Sequence, residues 1–578
     1  MRTYPVWHLA HEGEYGDLLD ALLSGRRLGL DELDTGPEGL HRPELLTDLD
    51  RGAQRIERAV RQDETIVVYG DYDVDGVSST ALLLDFLEHV KARGHALLPD
   101  RRTDGYGLKP PGVRKALDLG ADLMVTVDNG ISAGEALELA RDEGLDVVVI
   151  DHHRQNEELP PAHSIINPNR LDCDYPFKGL AGVGVTFKVV QRLSESLLES
   201  GERRRYLNDL LDLVALGTVA DMVPLLDENR ILVRHGLKAV ERSARPGLQE
   251  LRIAARCPRG RVDSTAVAFY LGPRLNVAGR LEKPDLALDL LRTRDHEEGR
   301  LLAGRLNELN LRRQQLQREG VREARSLVSE DQLERERLLC VLGEEWDLGV
   351  IGLIASDLSE TFWRPAVVLT DVQRDGSYVG SARSIPGYDM NDGLRHCSRF
   401  LTRYGGHAGA AGFSLPAEAF EEFRASLIDH AGTELTPEHL EAHLEIDLEL
   451  QPGDIDMRTV EVQRRLEPFG QENRMPLFLT RGLELVSRTR VGKEGEHLKV
   501  AFQAGGVRPG VWWHQGALAR DLETGQRLDV AYELSEDTFN GMGTVQMVIR
   551  DMDPSPGCES GPAPAGSVSS AVLDAEVP

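Results

Sequence analysis

Lysine is scarce in this 578-residue chain: nine of the 67 basic residues are lysine and 58 are arginine, set against 96 acids. The resulting net charge of −29 excludes a broadly basic polyanion binder, because phosphate contacts draw on Lys and Arg. Any polyanion-binding surface must be local and built from arginine. Cysteine is sparse as well. Five of them (Cys173, Cys257, Cys340, Cys397, Cys558), odd in number and without CxxC spacing, exclude a disulfide framework or zinc ribbon and suit a reducing cytoplasm. No run of 18 apolar residues occurs, which excludes a transmembrane helix, and no apolar signal core precedes Glu12 and Glu14. Aromatics make up only 5% while glycines number 57, a balance that suits an α/β protein better than a β-sandwich.

What is present is a strand–loop–helix rhythm. Apolar runs at 65–69, 122–127, 145–150 and 164–166 alternate with helical stretches at 77–91, 111–119 and 132–143, predicting a parallel, doubly wound sheet. Residues 180–300 read as mainly helical. Residues 296–330 lack proline and read as one long polar helix, a strut between domains. A second α/β unit follows, with strands at 338–342, 366–370 and 377–384 and helices at 349–362 and 389–404. From about 445 to 552 short alternating strands indicate a small barrel, and the Pro/Ser/Gly/Ala-rich end reads as disordered. A chain of this length holds three or more domains.

The chemistry concentrates at strand ends. DYDVDG (71–76) follows the 65–69 run, and if it is extended its alternating acids project to one side. Alone it is either a solvated acidic turn or a site for one or two divalent cations. Asp128 follows the next strand in VDNG (127–130), and Asp151, His152 and His153 follow the one after. All then share the carboxyl edge of a parallel sheet, where ligands bind in such folds. Asp221 sits in the apolar GTVADMVPL (217–225), as a metal ligand or a helix-end carboxylate, and Asp151 is either a ligand or the group that orients a neighbouring histidine. Oxygen-rich sites with one or two imidazoles favour Mn²⁺ or Mg²⁺ over Zn²⁺, and two such ions suit phosphoester hydrolysis.

In that order the four motifs resemble those of the DHH phosphoesterase superfamily. Downstream, GPRLNVAGR (272–280), GSARSI (380–385), GGHAGAAG (405–412) and FGQENRMPL (469–477) resemble its bacterial RecJ branch, over roughly residues 45–552. The resemblance implies an N-terminal segment (1–50), a DHH domain (51–295), a connecting helix (296–330), a DHHA1 domain (331–440), an OB-like nucleic-acid-binding barrel (441–552) and a disordered tail (553–578). It implies a two-metal, Mn²⁺- or Mg²⁺-dependent exonuclease degrading single-stranded DNA from its 5′ end in recombination and repair. Single-strand-binding protein and a helicase would be partners, and the enzyme would be a cytoplasmic monomer.

Carried over by position, Asp73, Asp75, Asp128, His152 and Asp221 resemble the metal ligands, with Asp128 the bridge. Asp71 belongs to the same motif as a direct or water-mediated ligand. His153 is similar to the residue facing the scissile phosphate, as electrostatic stabiliser or proton donor. Arg274 and Arg280, read with Asn276 as part of a Gly/Pro-framed loop, are either surface cations or, as fork geometry favours, phosphate-binding residues. Ser381 and Arg383 lie on a strand, and His407 follows a helix among glycines, as a phosphate ligand or a helix C-terminal cation. Tyr106 is a candidate base-stacking residue or a packed turn aromatic, and Trp512 and Trp513 read as barrel core in preference to a stacking platform. Two alternatives remain: a phosphodiesterase for short oligoribonucleotides or cyclic dinucleotides, and a non-catalytic replication scaffold.

Overall fold

The computed structural model describes residues 4–11, 15–26, 28–101, 104, 105, 107–155, 158–258, 260–371, 376–536 and 544–555. They form two compact units. One comprises Thr35–Leu440 with Gly470–Glu472, and the other combines Met1–Asp34 with Glu441–Phe469 and Asn473–Pro578.

The first unit begins with a parallel five-stranded sheet in the order Arg93–Leu97, Thr65–Tyr69, Leu123–Val127, Asp146–Ile150, Ser164–Ile166. Alternation sorts its side chains to two faces. Val67, Tyr69, Met124, Val147 and Val149 meet the helices Pro110–Asp118 and Gly134–Asp142. Ile66, Val68, Val125, Val127 and Val148 join the larger core built on Val74–His89, Gly182–Leu197 and Leu211–Ala220. Burial on both faces explains the near-continuous Val/Ile runs. The edge strand Arg93–Leu97 escaped sequence reading because only one of its five residues is a large apolar one and none is fully buried.

A helix of 32 residues, His296–Leu327, follows, about 48 Å long at 1.5 Å per residue. Asp295 caps it by accepting from the Glu298 amide. Gly299, a weak breaker by sequence, is there because a Cβ would stand 3.1 Å from the Gly247 backbone of the helix packed across it. The second sheet runs Arg403–His407, Ala410–Pro416, Ser377–Arg383, Ala366–Thr370, Leu339–Gly343, with only the last pair parallel. The helix expected over 389–404 ends at His396, and Arg403–His407 is a strand. The glycines at 405 and 406 favour the extended pairing over helix continuation.

In the other unit, Phe478–Val491, His497–Gln503, Val507–Trp512, Val545–Pro554 and Arg527–Glu536 pair in that order, and the last returns to the first to close the barrel. Leu485, Val500, Phe502, Tyr532 and Met547 fill it, joined by Leu19 and Leu22 of the N-terminal helix Leu18–Ser24. The strand Val6–Leu9 pairs in parallel with His443–Ile446. The tryptophan pair divides. Trp512 is core, but Trp513 is 48% exposed, so the core assignment holds for one of the two. Among the described residues no helix is long and apolar enough to cross a membrane.

Candidate metal centre and its arginine rim

Asp71, Asp128 and Asp151 each follow a strand end on one edge of the parallel sheet. The DYDVDG segment is not extended, contrary to the expectation from its alternating acids. Its helix starts at Val74, with Asp73 as N-cap accepting from the Gly76 amide (3.0 Å) and Asp75 in the first turn. An N-cap aspartate and a first-turn acid both complement the helix dipole, which favours this start. Asp75 is buried, and both its oxygens accept amides from the start of Gly182–Leu197: Gly182 at 2.7 Å and Val183 at 2.8 Å.

Asp128 has φ +62°, a left-handed conformation that Asp tolerates better than most residues. Its carboxylate approaches Gly182 so closely that a Cβ there would lie 2.7 Å from Oδ1. His152 Nε2 lies 3.2 Å from Asp128 Oδ1, 3.6 Å from Asp221 Oδ2 and 3.9 Å from Asp75 Oδ2. Asp221 caps the carboxyl end of Leu211–Ala220, where the helix dipole disfavours an anion. Asp151 accepts from the Ile131, His152 and His153 amides and from His153 Nδ1 (2.7 Å). It orients His153, while Asp71 is buried with Oδ1 held by the Tyr72 amide.

The electrostatics match this division. Burial, then Asp73, pushes Asp71 up to about 8 and Asp75 up to about 7. Asp128 and Asp221 are raised by burial and then by the neighbouring aspartates. Asp151 goes the other way: burial opposes its ionisation, but His153 and its hydrogen bond hold it at about 2. Burial and then His153 lower His152 to about 4, whereas Asp151 overcomes burial to raise His153 to about 9.

These residues fit a divalent cation. Asp128 Oδ1 and His152 Nε2 are buried, face one another at 3.2 Å, and have no hydrogen-bond partner among the described residues. One ligand atom from each residue falls within 4.8 Å of the others in three sets: Asp128 with His152 and His153, Asp75 with His152 and Asp221, and Asp71 with Asp73 and Asp128. Mutually repelling acids around a neutral imidazole are a donor set awaiting positive charge.

GPRLNVAGR is a helix, Gly272–Leu281, and not the expected loop. Leu275, Val277 and Ala278 are buried along it, which holds the segment helical despite its two glycines. Asn276 Oδ1 accepts from the Val74 amide at 3.1 Å, so it also secures the start of the acidic helix. Arg274 bonds Asn307 Oδ1 (3.0 Å) and the Tyr270 carbonyl (2.7 Å), and Arg280 bonds the Gly349 carbonyl (3.2 Å). Burial, then Arg101, Arg313 and Arg383, depresses Arg280 to about 10.

Arg383 donates to the Ala382 carbonyl (2.8 Å) beside buried Ser381. His407 ends a strand and does not follow a helix, and Arg383, Arg154 and His153 add to partial burial in lowering its pKa. Sequence reasoning missed Arg101, stacked 5.5 Å over the Tyr72 ring, and Arg313, held by Asn310 (2.6 Å) and Gln317 (2.8 Å). The absence of acids at 309, 310, 316 and 317 was the available signal for Arg313. Among the described residues none of Arg101, Arg274, Arg280, Arg313 and Arg383 ion-pairs with a carboxylate, although the chain has surplus acid. Tyr106 lies outside the described residues.

A parallel sheet with this carboxylate–histidine edge, followed by a second α/β domain and a barrel, defines a DHH-type phosphoesterase. The "DHH family, N-terminal domain" matches residues 65–218, the "DHHA1 domain" 336–432 and the "RecJ OB domain" 446–551. The chain belongs to the RecJ family. It is 37% identical over 570 residues to the single-stranded-DNA-specific exonuclease RecJ of Dickeya dadantii, covering 94% of this chain and 98% of that one. To its namesake from Bacillus subtilis it is 35% identical over 520 residues, 90% of this chain and 65% of the relative's length. The crystal structure of RecJ in complex with Mn²⁺ from Thermus thermophilus is similar over 97% of this chain and 81% of that chain, at 30% identity and TM-score 0.77. RecJ from the same organism in complex with Mg²⁺ matches over 97% of this chain and 80% of that chain, at 28% identity and TM-score 0.72.

Proposed function

We propose that this chain is a single-stranded-DNA-specific exonuclease that hydrolyses phosphodiester bonds from the 5′ end in recombination and repair. One observation carries the reading: Asp128 Oδ1 and His152 Nε2, unpartnered among the described residues, stand in the same compact unit as arginines that pair there with no described carboxylate. The first feature suits cations and the second suits phosphates.

Asp71, Asp73, Asp75, Asp128, His152 and Asp221 would hold two Mn²⁺ or Mg²⁺ ions, with Asp128 shared. Bound there, the ions supply positive charge to the phosphoryl group and lower the pKa of water. The chain's own residues do the rest. Gly182 and Val183 amides fix Asp75, and Asp151 fixes the ring and the proton of His153. His153, protonated at neutral pH, faces the phosphate as a hydrogen-bond and proton donor. Arg280, Arg383, Ser381 and His407 bind phosphate oxygens, Arg274 and Asn276 extend that surface, and Tyr106 stacks on a base. No side chain is needed as a nucleophile, because water attacks phosphorus.

Strand selection comes from the space between the two α/β domains joined by the long helix, which admits unpaired DNA. Single-strand-binding protein and a helicase are its partners by family habit, and the enzyme acts as a cytoplasmic monomer. Digestion of 5′- and 3′-labelled single strands and blunt duplex, with Mn²⁺, Mg²⁺ or chelator, tests the reading. Metal-dependent release of 5′ label from single strands is expected. Equal digestion of blunt duplex, or activity in chelator, would overturn it.

A further inference from the structure

The Arg403–His407 strand is the outer edge of its sheet, and all five of its residues are exposed. Side chains two apart share a face, so Arg403, Gly405 and His407 line one side over about 13 Å. His407, at one end, lies within electrostatic reach of Arg383 and His153. At the other end Arg403 meets a loop of the first domain. Arg403 Nη1 and Lys109 Nζ both lie close to the position a Cβ on Gly105 would take, at 3.7 and 2.5 Å.

The nearby acid does not neutralise this pair. Asp104 binds Lys115 Nζ through both oxygens (3.0 and 3.2 Å), also accepts from the Asp100 amide, and gives Lys109 only its backbone carbonyl. Among the described residues neither Arg403 nor Lys109 ion-pairs with a carboxylate. Two cations brought together with no described carboxylate in ion-pair contact, beside an acid already bound to Lys115, in a chain carrying 96 acids, are arranged for an external anion. Burial and then Arg403 lower the pKa of Lys109, in keeping with that crowding.

We propose that Arg403 and Lys109 clamp a backbone phosphate of single-stranded DNA outside the cleavage centre, with the edge strand as the track between them and His407. The proposal rests on the nuclease reading above. It makes strand length matter. Thirteen ångström corresponds to about four nucleotides at helical rise, and fewer in a stretched strand. A dinucleotide seated at His153 is too short to reach the clamp, whereas a twelve-nucleotide strand covers it.

The test compares wild type, the Arg403→Ala/Lys109→Ala double variant and Arg403→Lys. Binding of a 5′-phosphorylated twelve-nucleotide oligothymidylate is measured by fluorescence anisotropy in chelator across a salt series, and hydrolysis of that strand and of a 5′-phosphorylated thymidine dinucleotide is measured with Mn²⁺. The double variant should bind the long strand about tenfold more weakly. Its log K against log salt slope should be shallower by about 0.7 for one lost phosphate contact. Dinucleotide hydrolysis should be unchanged, and Arg403→Lys should recover most of the binding. Wild-type affinity in the double variant overturns the clamp, as does a parallel loss of dinucleotide hydrolysis, which would make the pair a structural support of the centre. Wild-type protein that hydrolyses neither substrate overturns the nuclease reading itself, and the clamp with it.

Discussion

Two groups of buried charge in the same domain are built on opposite rules. Behind the sheet, Arg245 binds Asp212 (3.0 Å) and Asp85, Ser243 adds a bond to Asp212 (2.7 Å), and Lys188 pairs with Glu228, which also accepts from Tyr175. Each anion there has a cation or hydroxyl of the chain beside it. At the sheet edge, Asp71, Asp75, Asp128 and Asp221 have mainly one another and His152. The first arrangement is complete, and removing an acid from it exposes a buried cation. The second is completed only by charge from outside, and removing an acid from it relieves repulsion.

That contrast is most sharply tested by Asp128→Asn, which keeps a residue that tolerates the left-handed backbone. We expect nuclease activity to fall by at least about a thousandfold, since the proposed shared ligand is lost. Thermal midpoint without metal should hold or rise, and the gain in midpoint on adding Mn²⁺ should shrink. A large loss of metal-free stability would erase the distinction between the two regions. Asp212→Ala should do the reverse. It should cost about 3 kcal/mol in urea unfolding by taking from buried Arg245 one of its two carboxylate partners, with the Mn²⁺-induced stabilisation retained.

Gly182→Ala sharpens the comparison, because its Cβ would meet Asp128 without altering any charge. A loss of about 1–3 kcal/mol in stability is expected, with weaker Mn²⁺ binding by calorimetry. Arg313→Ala is the mildest. About a fivefold to tenfold rise in KM for long single strands, with kcat and the unfolding midpoint nearly unchanged, would place it in strand binding.

The strand-end acids were legible because β-branched runs followed directly by Asp have few other places to go in a parallel sheet. The motif's local shape was not. Two-residue spacing suggested an extended segment, yet Asp73 is a better helix cap than strand residue, and Asn276, 202 positions from Val74, secures that helix start. GPRLNVAGR carried glycine and proline at a helix start, which reads as a loop until its buried Leu275, Val277 and Ala278 are seen. His407 was misplaced because the helical pattern continues past His396, and only pairing with Ala410–Pro416 makes Arg403–His407 a strand. Arg101 stacks on Tyr72, a partner distant in sequence that local patterns do not reveal, whereas Arg313 is held by Asn310 and Gln317 of its own helix and its local signal is only the lack of an acid at helical spacing.

The parallel pairing of Val6–Leu9 with His443–Ile446 has a consequence for biosynthesis. The strand Val6–Leu9 leaves the ribosome well before its partner, which is made more than four hundred residues later. At about 5–20 residues per second that wait lasts roughly 20–90 seconds. In that interval the intervening residues 35–440, which form their own compact unit, have time to fold. The strand Val6–Leu9 is therefore made before the 35–440 unit and settles only after it.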